Sequence, residues 1–230
     1  MKKRFPILSL VIFLVVLTSI TFAQDFLEIK EKAARGNAGA QYGLGVMYAK
    51  GEGVNQDFSQ AKLWFEKAAT QGHAGAQYNL GQMYYNGEGV KQDFSQAKFW
   101  REKAAAQGHA MAQFALGAMY YNGKGVRQDF SQAKLWFEKA AAQSDAKAQY
   151  SLGLMYAKGD SVKQDLSQAK LWWEKAAAQG DAMAQVNLGQ MYAKGDGVKQ
   201  DLSQAKLWWE KAAAQGDAKA KELLNKLKSN

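Results

Sequence analysis

Through most of the chain apolar residues recur at i, i+3, i+4 and i+7, the spacing of one face of an α-helix. Ala40, Leu44, Met47 and Tyr48 make one such stripe, and Gly51 follows where a left-handed residue would end the helix. After the polar stretch Gly51-Glu52-Gly53-Val54-Asn55-Gln56, Asp57 is placed to cap a second helix, with Gln60 three residues on completing a capping-box-like pair. Ala61, Trp64, Phe65 and Ala68 carry its apolar face, and it runs out at Gln71-Gly72. These two helices, A and B, recur as five units of 36 residues: 38–73, 74–109, 110–145, 146–181 and 182–217. Close copies of Asp57-Phe58-Ser59-Gln60-Ala61-Lys62-Leu63-Trp64 begin at Asp93, Asp129, Asp165 and Asp201. A fixed period of this size predicts stacked supersecondary units, each covering the apolar face of its neighbour.

The flanks continue the pattern in weakened form. Residues 24–37 hold a lone helix from Asp25 to Arg35, with Phe26, Ile29 and Ala33 on one face, which resembles the second half of a unit and is expected to cap the array. Residues 218–230 repeat the phase of helix A through Ala220, Leu224 and Leu227, with Asn225 and Lys228 where a glycine and a tyrosine would stand, so a polar-sided terminal cap is expected there. Inside helix A, Gly45 recurs as Gly81, Gly117, Gly153 and Gly189. Glycine costs a helix interior up to about 1 kcal/mol relative to alanine, so its recurrence predicts a neighbour too close for a side chain.

Composition reinforces the all-helical expectation, since the single proline is Pro6 and Ala, Leu, Lys, Glu and Gln dominate the repeats. Cysteine is absent, which removes disulfides, thiol nucleophiles and thiolate-bound metals. The formal charge of +9 is spread over all units and implies tolerance of anionic partners. At the start, Lys2-Lys3-Arg4, an apolar run from Ile7 to Ile20, and Thr21-Phe22-Ala23 have the layout of a secretory signal peptide, residues 1–23. Cleavage after Ala23 and a periplasmic or secreted mature chain from Gln24 are expected. The alternative is an uncleaved anchor, for which the run falls short of the ~20 residues of a spanning helix.

The motifs Ala-x-Ala-Gln-Tyr-x-Leu-Gly-x-Met-Tyr, Gly-x-Gly-Val-x-Gln-Asp and Ala-Lys-x-Trp-x-x-Lys-Ala-Ala-x-Gln-Gly together resemble the Sel1-like repeat, a relative of the tetratricopeptide repeat with a longer loop. The resemblance covers Ala38 to Asp217. It implies an all-α, right-handed solenoid of antiparallel helix pairs with the A helices on the concave side, serving as a scaffold or adaptor in protein complexes. Two departures are expected to be locally strained: Ser144 replaces the helix-ending glycine and Ser161 the second loop glycine.

Four patterns invite chemistry. Ser59-Gln60-Ala61-Lys62 matches Ser-x-x-Lys, the nucleophile motif of penicillin-binding proteins, and recurs at Ser95, Ser131, Ser167 and Ser203. Five copies, without Ser-Asp-Asn or Lys-Thr-Gly, point to a first-turn serine and a solvated lysine; no catalytic residue is expected. His73 and His109 occupy the register of Asn37, Asp145, Asp181 and Asp217, which makes them helix caps and leaves no metal site or cofactor in view. The Gly-x-Gly loops at Gly51, Gly87, Gly123 and Gly195 lack the strand and spacing of a phosphate cradle. Trp64, Trp100, Trp136, Trp172 and Trp208, at period 36 on the apolar face of helix B, are expected in the core.

Specificity is sought where near-identical units disagree. The fourth and fifth units differ at five of 36 positions, four of them on helix A: Lys147/Met183, Tyr150/Val186, Ser151/Asn187 and Leu154/Gln190. Carrying the phase of that face through the array predicts a groove of Gly43, Val46 and Lys50; Asn79, Gln82 and Asn86; Ala115, Ala118 and Asn122; Ser151, Leu154 and Lys158; Asn187, Gln190 and Lys194. Amides can hydrogen-bond the backbone of an extended peptide while lysines meet carboxylates, so a protein or peptide partner, acidic ones included, is expected. Neutral variation on a solvated face is the alternative. Nucleic acid is disfavoured by export and by the lack of a concentrated basic face, and no membrane insertion is expected after cleavage. The expected function is a non-enzymatic exported adaptor; the alternatives are an immunity or regulatory protein that sequesters a secreted toxin or enzyme, and a cell-wall-active serine hydrolase.

Overall fold

The computed structural model describes residues 26–229, and every regular element among them is a helix. In chain order these are α1 (26–34), α2 (Ala38–Lys50), α3 (Phe58–Thr70), α4 (Ala74–Asn86), α5 (Phe94–Ala106), α6 (Ala110–Asn122), α7 (Phe130–Ala142), α8 (Ala146–Lys158), α9 (Leu166–Ala178), α10 (Ala182–Lys194), α11 (Leu202–Ala214) and α12 (Ala218–Ser229). The even-numbered helices from α2 to α10 are the A helices and the odd-numbered ones from α3 to α11 the B helices. The expected leader and cleavage site lie outside the described residues.

Each helix starts and stops on chemistry local to the chain. The A helices are capped by Asn37, His73, His109, Asp145 and Asp181, whose side chains accept the backbone N–H three residues on. They end on a glycine in the left-handed conformation, Gly51 at φ 73° for α2, which returns its N–H to the Met47 carbonyl at 2.8 Å. Asp57 caps α3 by accepting from the N–H groups of Ser59 and Gln60 at 2.9 and 3.0 Å. The reciprocal half of the expected capping box is absent. The Asp57 N–H is already bound to the Tyr48 carbonyl at 2.9 Å, a bond that closes the A–B loop, and Gln56 Nε2 adds a second to the Ala49 carbonyl at 2.8 Å.

The chain divides into two compact units, one ending at Gln107 and one beginning at Gly108. In the first, α2 packs on α3, α3 on α4 and α4 on α5. Its core holds Leu44, Ala61, Phe65, Ala68, Ala76, Leu80 and Met83, with Ala33 of α1 buried at its edge. In the second, the same order runs from α6 to α12, around Leu116, Phe137, Leu152, Trp173, Leu188 and Trp209. Ala220 is buried, and Leu223, Leu224 and Leu227 of α12 pack against the last cluster. The fold class is therefore the all-α solenoid of consecutive helix pairs.

The helix-interior glycines admit a large side chain from helix B. A Cβ on Gly45 would lie 2.6 Å from the Phe65 ring, one on Gly153 2.4 Å from Trp173 and one on Gly189 2.3 Å from Trp209 Nε1. The ring position is one residue after the expected tryptophan, which corrects the assignment of the core. Phe65, Phe137, Trp173 and Trp209 are the buried rings, whereas Trp64, Trp100, Trp136, Trp172 and Trp208 are half-buried. Each of the latter lies under a lysine three residues on, Lys67 standing 4.2 Å from the Trp64 centroid, so the indoles form an outer layer that the aliphatic lysine stems help to cover.

One class of core residue was not anticipated. Gln41, Gln77, Gln113, Gln149 and Gln185 are buried at the first turn of each A helix. Gln185 donates to the Ala177 carbonyl at 3.2 Å and accepts from Gln215 Nε2 at 2.9 Å, and Gln77 does the same with Ala69 and Gln107 at 3.0 and 2.7 Å. These amides satisfy the end of the preceding B helix and tie it to the B helix of their own repeat. Their recurrence next to the buried alanine of the stripe was the signal available in the sequence.

Candidate partner-binding site

The A helices bring part of the anticipated groove together in each unit. In the first, Val46 and Lys50 of α2 face Asn79 and Gln82 of α4 across a cleft of about 320 Å³, with Tyr42 and Phe65 among its walls. In the second, Leu154 and Ala157 of α8 face Asn187, Gln190 and Lys194 of α10 across about 420 Å³, with Trp173 among its walls. The two clefts occupy the same register of the repeat, between successive A helices, and each combines apolar surface, amides and one lysine. Acidic groups sit on both rims, Glu88 on one and Asp196 on the other.

Other residues of the anticipated groove stand outside both clefts and are engaged locally. Asn86 donates to Glu88 Oε1 at 2.9 Å, and Asn122 donates to the Ala118 carbonyl at 2.9 Å, tightening the end of α6. Ser151 Oγ donates back to the Lys147 carbonyl at 2.8 Å. Lys158 Nζ donates to the Tyr121 hydroxyl at 3.0 Å, which in turn donates to Asp160 Oδ2 at 2.8 Å. That tyrosine raises the lysine's affinity for its proton, so Lys158 stays charged but committed. Within the second cleft, Asn187 hydrogen-bonds Tyr150, whose phenol is pushed up chiefly by burial.

Gln82 has an unexpected partner. Its Oε1 accepts a short hydrogen bond from Arg101 Nη2. Arg101 is 3% exposed and fills the place that Phe65, Phe137, Trp173 and Trp209 take in the other repeats. Aligning the repeats against one another exposes that exchange, but its burial is visible only in the packed structure.

The remaining candidate chemistry is structural in geometry. Ser59 is exposed in the first turn of α3, its N–H held by Asp57, and Lys62 Nζ lies 2.7 Å from Glu66 Oε1. The hydrogen bond to Glu66 raises the lysine's pKa, the opposite of what a neutral general base needs. The equivalent lysines pair with Glu102, Glu138, Glu174 and Glu210, so none is the purely solvated group expected. His73 and His109 each accept an N–H at Nδ1, at 3.2 Å, as caps of α4 and α6. Among the described residues no helix is long and apolar enough to cross a membrane.

The Sel1 repeat is matched over residues 38–73, 74–109, 110–145, 146–181 and 182–217. No curated protein matches the chain. Among solved structures, the chain is 41% identical to c5321, a protective antigen present in uropathogenic Escherichia coli strains displaying an SLR fold, with a TM-score of 0.84 over 86% of this chain. It spans 43% of the length of that antigen. It is 34% identical to a Sel1 repeat protein from Oxalobacter formigenes, again with a TM-score of 0.84, over 90% of this chain and 85% of the other. The immunity protein Pa5087 from Pseudomonas aeruginosa shares the fold at 21% identity and a TM-score of 0.55, over 84% of this chain and 74% of its own. With five matched repeats in register and a consecutive helix-pair fold, the chain belongs to the Sel1 repeat family.

Proposed function

We propose that the chain is a non-enzymatic scaffold that holds a protein or peptide partner in the clefts between its A helices. One observation carries this: two of the four helix-A positions at which the near-identical fourth and fifth repeats differ, Leu154/Gln190 and Ser151/Asn187, place Leu154, Asn187 and Gln190 on the walls of the second cleft. Leu152/Leu188, Gly153/Gly189 and Met155/Met191 are buried and unchanged between the two repeats, whereas Leu154/Gln190 changes the chemistry of the cleft wall. Amides opposite apolar walls suit a peptide backbone in extended form, and Lys50 and Lys194 suit its carboxylates. The leader places this binding in the periplasm or outside the cell, with the mature chain starting at Gln24. Partner capture by the exported chain tests both points. Joint alanine substitution of Asn79, Gln190 and Lys194 is expected to cut recovery of the partner at least about tenfold with helical content unchanged. Full recovery would refute the cleft assignment, and an exported chain that still begins at Met1 would refute cleavage. A toxin or secreted enzyme as the captured protein would make the scaffold an inhibitor of it.

A further inference from the structure

We propose that Arg101 is a buried anchor for a carboxylate of the bound protein or peptide, received on the guanidinium edge formed by Nε and Nη2. This rests on the scaffold function above and names the chemistry of its partner. Arg101 replaces the aromatic ring of the other repeats, yet no carboxylate meets it among the described residues. Its Cζ lies over the Tyr85 ring, 4.2 Å from the centroid, Nη2 donates to Gln82 Oε1, and Nε is buried with no hydrogen-bond partner. A buried cation that lacks a counter-charge is disfavoured, as is a buried donor left unpaired. Burial accordingly lowers the proton affinity of the guanidinium.

Nε and Nη2 lie on one edge of the guanidinium, the side-on fork that grips both oxygens of a carboxylate. In the free chain one prong is taken by a neutral amide and the other by nothing. Gln82, which occupies Nη2, also lines the cleft between α2 and α4, so a partner in that cleft meets the side chain that holds the fork. A carboxylate entering the cleft replaces the Gln82 oxygen on Nη2, satisfies Nε with its second oxygen and neutralises the buried charge. A glutamine on the partner offers one acceptor and no charge, so the site separates acid from amide rather than merely attracting anions.

The test uses two capped heptapeptides, Gly-Gly-Glu-Gly-Glu-Gly-Gly and its glutamine counterpart, with the full exported chain and its R101F, R101K and K91Q variants. Phenylalanine is the residue of the first and third repeats at this position, so R101F restores a packing the fold already uses. The glutamate peptide is expected to bind the parent chain at least about tenfold tighter than the glutamine peptide. R101F should abolish that preference, R101K should lose most of it because an ammonium has no fork, and K91Q, which removes one exposed charge from the same unit, should keep it. No preference in the parent chain, or a preference surviving in R101F or R101K, would overturn the anchor. In the capture experiment above, full capture by R101F with loss in the Asn79, Gln190 and Lys194 variant would overturn the anchor alone; the converse would overturn the cleft assignment alone.

Discussion

At Gly189 a single added methyl group decides between two opposing effects. In an isolated helix alanine is favoured over glycine by about 1 kcal/mol, but here a Cβ would lie 2.3 Å from Trp209 Nε1, and overpacking of this kind costs about 1–3 kcal/mol. Gly189→Ala should therefore lower stability, by up to about 2 kcal/mol in urea unfolding followed by circular dichroism. Ser144 supplies the reverse case. It is held at φ 65°, where the other copies have glycine with nothing or only a glutamine side-chain oxygen near a notional Cβ. Ser144→Gly should raise stability by about 1 kcal/mol in the same assay, since it relieves backbone strain and disturbs no packing. The strain at Ser144 and Ser161 was legible as a departure from the repeat; Ser161, also at a positive φ of 64°, recovers part of its cost in a 2.9 Å hydrogen bond to Ser131 Oγ.

At the scale of the helix, stability is added by caps and by ion pairs four residues apart. Asp165 accepts the Gln168 N–H at 2.9 Å, and Asp165→Ala should cost about 1 kcal/mol, with faster amide exchange confined to the first turn of α9. Lys62, Lys134 and Lys170 are each held above the reference value of 10.5, first through the hydrogen bond to the glutamate on the next turn. A raised folded-state pKa means that the stabilisation is fully present below 10.5 and fades as pH rises through the folded value. Between about pH 9 and 12 the unfolding free energy of the parent chain should thus fall further than that of the E66Q, E138Q and E174Q triple variant, by up to about 1 kcal/mol per pair.

For the whole molecule the governing fact is that within each unit, α2 to α5 and α6 to α12, each helix contacts its neighbours in sequence, so the stability of each unit is close to a sum over its repeats and their interfaces. Deleting residues 146–181 joins Asp145 to Ala182, recreating the Asp-Ala start of an A helix. The shortened chain should remain helical in proportion to its length and unfold at a lower urea concentration. The sequence by itself determined the repeat length, the helix ends and the caps, because each depends on hydrogen bonds and periodicity within a few residues of chain. Only the tertiary structure decided which helix B residue fills the space over each glycine, leaving Trp64, Trp100, Trp136, Trp172 and Trp208 half-buried, and that Lys158 is already engaged by Tyr121. It alone buries Arg101 without a counter-charge. These outcomes depend on side chains 20 or more residues apart in sequence, such as Arg101 and Gly81 or Trp209 and Val186, whose meeting no local pattern specifies.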